Sequence, residues 1–311
     1  MASPPMLYHR VLITGANGLL GQALVARMSP LPDYDVLATA RDERLRLPRA
    51  SCGYAPLDIT DPDAVEAIFE NFAPSVVVNC AAMTQVDDCE HDRERCRRVN
   101  AEAVETLADA CRHTGARLIQ LSTDFVFDGS EGPYDEDDRP APVNYYGEAK
   151  LAGENAARRA GVDKWAVART VLVYGTAEGE ARSNILLWLL DELQAGQRVQ
   201  IVTDQIRTPT YVVDLAAGIE KMVRHEAKGV YHLAGRELLS VYEFAQTVAE
   251  VYGLDETLIE PTDRTEFTQT AERPLVTGLV TLKAETEVSY RPRDLGDALR
   301  HLAPRLPIAD V

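Results

Sequence analysis

The chain has 311 residues, 46% hydrophobic and 26% charged, with 49 acidic against 32 basic side chains and a formal net charge of −17. That balance disfavours a nucleic-acid surface, which needs a basic face to neutralise phosphates. No stretch approaches the roughly 18 consecutive apolar residues of a membrane span. The opening MASPPMLYHR lacks the basic-then-apolar order of a secretory signal. Five cysteines, an odd number with no CxxC pair, suggest neither a disulfide framework nor a metal centre. The expectation is a cytoplasmic protein with no membrane, nucleic-acid or metal partner.

The first half alternates apolar strands with amphipathic helices. Arg10–Thr14 (RVLIT) is a strand running into glycine and then into the helix-like Leu19–Met28. Asp35–Ala40 is a second strand and Gly53–Leu57 a weaker third. Asp61 and Pro62 open a helix through Phe72, with an acidic cap, proline at the first helical position and apolar residues at Val65, Ile68, Phe69 and Phe72. Ser75–Cys80 (SVVVNC) reads as a fully buried strand, Arg93–His113 as one long helix and Ala116–Leu121 as the next strand. The acidic, proline-containing stretch Ser130–Pro142 reads as a surface loop between two site-bearing elements. Beyond about residue 170 the rhythm loosens. There Asn184–Leu193, Val213–His225 and Val241–Tyr252 look helical, and Val199–Val202 and Val230–Leu233 extended. This order predicts an α/β protein: a Rossmann-type doubly wound parallel sheet with a smaller C-terminal substrate lobe. Residues 1–171 are expected to form the dinucleotide-binding domain, with about 209–235 returning to it, and 172–311 mainly the substrate-binding lobe.

Gly15, Gly18 and Gly21 lie in TGANGLLG, directly after a strand and opening a helix. Glycines let the backbone approach a pyrophosphate, and the helix N-terminus offers unpaired amides. A ligand-free tight turn is the bland alternative; the strand before and the alternation after favour the cofactor. The second strand ends ATAR, with Arg41 where an acidic residue would hold the ribose 2′-hydroxyl of NAD. An arginine there pairs with a 2′-phosphate, so NADP(H) is expected. NAD(H) is kept as the alternative because Asp42 and Glu43 follow. Asp58, in LDITD, is placed either to accept from the adenine amino group or to cap a helix. Ala81 and Ala82 leave room either for the cofactor or for close helix packing.

Tyr146 and Lys150, in NYYGEAK, are four residues apart and share one helix face. A phenol has a pKa of about 10 in water, so acid–base work near neutrality calls for a nearby cation. Lys150 supplies one and can also hydrogen-bond the nicotinamide ribose. Thr123, in STDFVFDG, would hold a substrate carbonyl while Tyr146 gives the proton and hydride reaches the carbon. A chance pair on a helix surface is the alternative, opposed by the strand that ends in Ser-Thr just before. Tyr145 has Ala149 at i+4 and is set aside.

The ordered pieces TGANGLLG, LDITD, NCAAMTQVDDCE, VNAEAV, STDFVFDG, PVNYYGEAKLAGE and RTVLVYG resemble the extended short-chain dehydrogenase/reductase family. Within it the chain is most similar to the dTDP-4-dehydrorhamnose reductases, and DQIRTPTYVVDLA, GVYHLAG and AERPLVTGL carry the likeness over nearly the whole length. The resemblance implies catalytic roles for Thr123, Tyr146 and Lys150. It implies cofactor contacts from Gly15, Asn17, Gly18, Leu19, Leu20, Gly21, Arg41, Asp58, Ile59, Ala81, Ala82, Thr84 and Lys150. Substrate contacts would come from Thr84, Asp124, Arg207 and Arg273. Asn100 matches a position that supports the active-site lysine, with a helix-surface amide as the other reading. Arg273 would sit near the substrate diphosphate or in a structural ion pair.

Two departures bear on the substrate. Leu172 stands where these reductases commonly carry a tryptophan lining the sugar pocket, and Ile206-Arg207 where they often have an aromatic or small residue and glycine. Asp124 is followed by Phe125 rather than the glutamate usual in sugar-nucleotide dehydratases. The implied activity is NADPH-dependent reduction of a 4-keto-6-deoxy nucleotide sugar, dTDP-4-dehydrorhamnose to dTDP-L-rhamnose. Another sugar-nucleotide reductase or epimerase, or a non-catalytic NADP-binding regulatory subunit, are the alternatives. Monomer and homodimer are both left open.

Overall fold

A computed structural model describes residues 8–179, 184–266 and 270–306. Most of the N-terminal stretch inspected for a signal lies outside the described residues. Seven parallel strands form the central sheet: β1 (His9–Thr14), β2 (Tyr34–Ala40), β3 (Gly53–Pro56), β4 (Val76–Asn79), β5 (Arg117–Thr123), β6 (Trp165–Thr170) and β7 (Gly229–His232). Their order is β7-β6-β5-β4-β1-β2-β3, so the winding reverses between β1 and β4. A crevice opens at such a switch point, beyond the C-terminal ends of the strands. Thr14 pairs with Asn79 and Thr123 with Thr170, which brings the loops starting at Gly15, Cys80, Asp124 and Val171 out along one edge.

Both faces of the sheet are covered, which is why its inner strands are apolar throughout rather than alternating. Val11 and Ile13 face α1 (Leu19–Met28) and the late helix Val212–Arg224, packing with Leu24, Met28, Ile219 and Met222. Leu12 and Val77 face the opposite layer of α2 (Pro62–Phe72), α3 (Ala103–Thr114) and α4 (Tyr145–Ala157), meeting Phe69, Leu107 and Ala157. α2 begins as its sequence dictates. The Asp61 carboxylate accepts the Asp63 and Ala64 amides at 3.1 and 3.2 Å, with Pro62 in the first turn.

Arg93–His113 is not the one regular helix expected. It divides into an α-helix Arg93–Arg97, a π-helical turn Arg98–Glu102 and α3. An i→i+5 turn rotates the next helical segment out of the 3.6-residue period, and apolar spacing alone does not reveal it. The consequence is local: Asn100 turns into the core, and α4 presses on its carbonyl. A Cβ at Gly153 would lie 2.3 Å from that oxygen, so only glycine permits the approach.

After β6 the chain builds a second core around Tyr174, Leu186, Leu189, Phe244, Val248 and Leu299. Short paired segments, Val199–Val202 with Ile259–Thr262 and Ile206–Arg207 with Leu239–Ser240, hold this part together. Helix α5 (Val212–Arg224) and β7 lie on the main sheet, between segments of this lobe. The stretch Ser130–Pro142 is anchored by Tyr134, which is buried and stacks on Phe127 with centroids 4.1 Å apart. Among the described residues no helix is long and apolar enough to cross a membrane.

Candidate active site

β5 delivers Thr123 to the switch-point edge, and a tight turn comes next. The Thr123 hydroxyl oxygen accepts the Phe125 amide at 3.2 Å and its proton goes to Asp124 Oδ1 at 3.0 Å. α4 is set by two polar contacts at its start. Asn144 Oδ1 accepts the Gly147 amide at 2.8 Å, and Glu90 accepts the Tyr145 amide at 2.7 Å. These contacts turn Tyr146 and Lys150 inward, leaving them 9% and 4% exposed. The Thr123 hydroxyl lies close enough to the Tyr146 phenol to act on its pKa, and Phe125 stands edge-on to its ring at 6.0 Å. Lys150 Nζ donates to the Leu121 carbonyl at 2.6 Å. Thr123, Tyr146 and Lys150 therefore converge at the end of β5.

The electrostatics correct one expectation. Burial pushes the Tyr146 phenol above its ordinary value, against a smaller opposing effect of the Thr123 hydroxyl, and the Asp124 charge adds to the rise. The phenol is not made acidic by its helical neighbour, because both groups are desolvated and the ammonium is turned to a backbone carbonyl. Burial also lowers Lys150 to about 8, and the Glu154 carboxylate opposes that fall. Glu154 escaped the sequence reading. It lies one further turn along the same helix, so Tyr146, Lys150 and Glu154 form an i, i+4, i+8 series that was there to be read. It is clamped by Arg169, whose Nε and Nη2 each donate at 2.8 Å, and both side chains are buried. His232 completes the cluster, 3.5 Å from Arg169 Nη1 and held down to about 3 by burial and by that arginine.

After β1, separated from β5 by β4, Gly15 adopts φ +65°, and a Cβ there would lie 2.7 Å from the Ala81 nitrogen. Gly18 caps α1 without any side-chain acceptor. The first-turn amides of Leu19, Leu20 and Gly21 thus point to an acceptor from outside. Ser122 Oγ and Thr170 Oγ1, at the ends of β5 and β6, are buried with no hydrogen-bond partner among the described residues. A cradle, a row of helix amides and two orphan hydroxyls fit a dinucleotide. Ala81 and Ala82 are half-buried beside the turn, Ile59 is buried and Thr84 is exposed.

The loop after β2 is held by Asn17. Its Nδ2 donates to Asp42 Oδ2 at 2.7 Å and to the Arg44 carbonyl at 2.9 Å, and its Oδ1 accepts the Arg46 amide at 2.8 Å. Asp42 also pairs with Arg46 at 3.2 Å, while Arg41 is exposed. Asp58 is exposed and folds its own turn, accepting the Thr60 amide at 2.9 Å and hydroxyl at 2.8 Å. The helix cap at this point is Asp61, which removes the capping alternative for Asp58.

The remaining residues make contacts within the protein. Asn100 is buried, so it is no helix-surface amide. It holds Met83 through both backbone groups at 2.9 Å and donates to Cys96 Sγ at 3.3 Å. Arg207 is buried too, and its fork donates to the carbonyls of Ile206, Leu275 and Pro274 at 2.8, 2.7 and 2.7 Å. Arg273 forms the ion pair, reaching both oxygens of Asp87 at 2.9 Å. Both guanidiniums are thus engaged with the protein itself. Leu172, at the tryptophan position, has φ +38° and packs near Phe127 and Val171. Among the described residues no group of three His, Cys, Asp or Glu side chains gathers as a metal centre.

The profile of the RmlD substrate binding domain matches residues 9–307. The chain belongs to that family. One relative is the dTDP-4-dehydrorhamnose reductase of Mycobacterium tuberculosis, 38% identical over 272 residues, 85% of this chain and 83% of the relative. Another is methionine adenosyltransferase 2 subunit beta of Xenopus laevis, 35% identical over 259 residues, 81% of this chain and 75% of the relative. Among solved structures, the dTDP-4-dehydrorhamnose reductase of Bacillus anthracis in complex with NADP superposes with a TM-score of 0.84 at 29% identity. It covers 96% of this chain and 100% of that one. The RmlD-family protein is an NAD(P)-dependent oxidoreductase of the sugar-nucleotide reductase type.

Proposed function

We propose that this protein uses NADPH to reduce the 4-keto group of a 6-deoxy nucleotide sugar, converting dTDP-4-dehydrorhamnose to dTDP-L-rhamnose. The observation that carries the reading is the meeting of Thr123, Tyr146 and Lys150 beside the glycine-rich turn. In this reading Thr123, its proton held by Asp124, sets the position of the Tyr146 phenol, and Tyr146 donates a proton to the substrate carbonyl oxygen. The bound nicotinamide supplies the hydride for the carbonyl carbon. Gly15, Gly18 and Gly21 with the amides of Leu19 and Leu20 would hold the pyrophosphate, Asp58 and Ile59 the adenine end, and Ala81, Ala82 and Thr84 the walls. Asn17 contributes by fixing the loop after β2, and Asp124 lies beside the sugar. Burial raises the Tyr146 phenol, which keeps it protonated and suits it to act as an acid in the direction of reduction.

Arg41 is assigned the 2′-phosphate, since Asp42 is already paired with Arg46 and Asn17. Arg41→Ala is expected to raise the KM for NADPH about tenfold, the loss of one charge-assisted contact, with the KM for NADH within about twofold. Equal effects on both cofactors would remove that assignment.

A pH dependence arises from Lys150, which is assigned the nicotinamide ribose. Its ammonium persists below its pKa of about 8 and is lost above it. Fluorescence titration of NADPH should therefore show affinity weakening as pH rises through about 8, and Lys150→Met should flatten the curve. A flat wild-type profile from pH 7 to 9.5 contradicts the assignment, since about 1.5 units above a pKa leaves little ammonium.

The kinship with a methionine adenosyltransferase subunit supports a second reading, a cofactor-binding regulatory partner. An intact set of Thr123, Tyr146 and Lys150 speaks against it. Leu172 in place of tryptophan bears on which sugar the pocket takes. A panel of 4-keto nucleotide sugars with NADPH and NADH, read by loss of nicotinamide absorbance, decides. Turnover of dTDP-4-dehydrorhamnose supports the proposal, turnover of another sugar changes the substrate, and binding of NADPH without turnover of any favours the subunit. An epimerase would convert its substrate without consuming reductant.

A further inference from the structure

The segment spanning residues 270–281 meets the turn after β5, the start of α4 and the helix after β4. Arg273 pairs with Asp87, on the helix after β4. The Glu272 carbonyl accepts Asn144 Nδ2 at 2.8 Å, at the start of α4, and the Val276 amide donates to Gly129 at 3.1 Å. Between these contacts Thr277, fully buried, donates its hydroxyl to Asp124 Oδ2. Arg207 Nε lies 3.7 Å from the same oxygen, and its fork is fastened to Pro274 and Leu275 of this segment.

The other oxygen of Asp124 takes the Thr123 proton. A hydroxyl has one proton and two lone pairs. With the proton on Asp124 and one lone pair on the Phe125 amide, one lone pair of Thr123 remains uncommitted. Where Asp124 stands therefore sets which way the Thr123 hydroxyl faces. Asp124 itself is buried, and one anchored oxygen stops its carboxylate from turning.

We infer that Thr277 is a positioning residue: by holding one oxygen of Asp124 it aims the other at Thr123, and so fixes which way the Thr123 hydroxyl faces beside Tyr146. Thr277 touches neither Tyr146 nor Thr123 by any hydrogen bond among the described residues, and acts through Asp124. The inference rests on the reductase reading for its kinetic consequence but not for its geometry. The charged and titratable groups facing Asp124 are Arg207, from the strand Ile206–Arg207, and Tyr146 from α4. Burial raises the Asp124 carboxyl, while Arg207 and the hydroxyls of Thr277 and Thr123 oppose the rise. Loss of the Thr277 hydroxyl should therefore move the Asp124 titration to higher pH.

The test compares Thr277→Val, which keeps the shape, with Thr277→Ser, which keeps the hydroxyl, in the full-length protein. Thr277→Val is expected to lower kcat about fivefold or more with the KM for NADPH within about twofold, and Thr277→Ser to stay within about twofold of wild type. In parallel, carbon-13 carboxyl NMR of labelled aspartate, with Asp124→Asn as the assignment control, tracks the Asp124 titration. Its midpoint should rise by about 0.5 pH or more in Thr277→Val and return in Thr277→Ser. An unmoved midpoint, or equal kcat losses in the two variants, overturns the inference. So does wild-type kcat in Thr277→Val. A wild type that reduces no 4-keto sugar defeats the reductase reading instead, and the titration then decides the positioning role alone.

Discussion

Replacing Tyr146 by Phe is expected to lower kcat by about 10²–10⁴-fold, the range attached to loss of a placed acid, while the Kd for NADPH stays within about twofold. The substitution removes one oxygen and keeps the ring. The edge-on contact with Phe125 at 6.0 Å and the packing against Ala149 are retained, so the fold has no reason to change. The cofactor contacts assigned to the other residues do not involve the phenol. Steady-state absorbance assays with the keto sugar, and fluorescence titration of NADPH, separate the two quantities. A variant with wild-type kcat removes Tyr146 as the proton donor. A parallel collapse of NADPH affinity would show that the ring is part of the cofactor wall, and the loss of rate would then no longer report on proton transfer.

Glu154→Gln should be costly in a different way. The carboxylate is the only counter-charge hydrogen-bonded to the Arg169 guanidinium among the described residues, and both side chains are about as buried as the apolar core around them. Such a pair contributes little beyond what apolar residues of the same shape would, yet breaking it strands a charge at about 3–5 kcal/mol. At about 2–4 °C per kcal/mol for a domain of this size or slightly smaller, the melting temperature should fall by roughly 10 °C. A double variant, Glu154→Leu with Arg169→Met, should recover most of the loss, because no charge is left buried. The substitution also reaches the active site. Glu154 is the strongest of the charges holding the Lys150 ammonium against burial, so its removal lowers the Lys150 pKa further below about 8. The alkaline loss of NADPH affinity should therefore begin at lower pH in Glu154→Gln than in wild type. Calorimetry with the fluorescence titration checks both parts. An unchanged melting temperature would mean that Arg169 finds another partner, and an unmoved titration that Glu154 does not act on Lys150.

Much of this protein was legible in its residues. The strand–glycine–helix order around Gly15, the apolar runs RVLIT and SVVVNC and the Asp61-Pro62 helix start are local signals. They depend on backbone sterics, capping and a two-residue or 3.6-residue period. The four-residue spacing of Tyr146 and Lys150 belongs to the same class, because one helical turn decides it wherever the helix lies. The parallel sheet could be read from the alternation, since parallel neighbours need a long crossover and a helix after each strand supplies it.

Other features depended on which distant residues met. The π-helical turn at Arg98–Glu102 changed the facing of Asn100 without any change in composition, and α4 came close enough to need Gly153. Arg207 was expected as a substrate contact and Arg273 either near the diphosphate or in an ion pair; the packing of residues 270–281 engages Arg207 with backbone carbonyls and gives Arg273 the ion pair with Asp87. The acidity of Tyr146 could not be inferred from a neighbouring lysine in the chain, because burial of both groups outweighs their proximity. What the sequence by itself determined was the menu of elements and the chemistry they carry, because propensity, capping and periodicity act within a few residues. Only the tertiary structure decided which polar groups lost water and what replaced it. Desolvation and pairing are properties of the whole packed neighbourhood, and here that neighbourhood is closed by a segment more than a hundred residues beyond the catalytic helix.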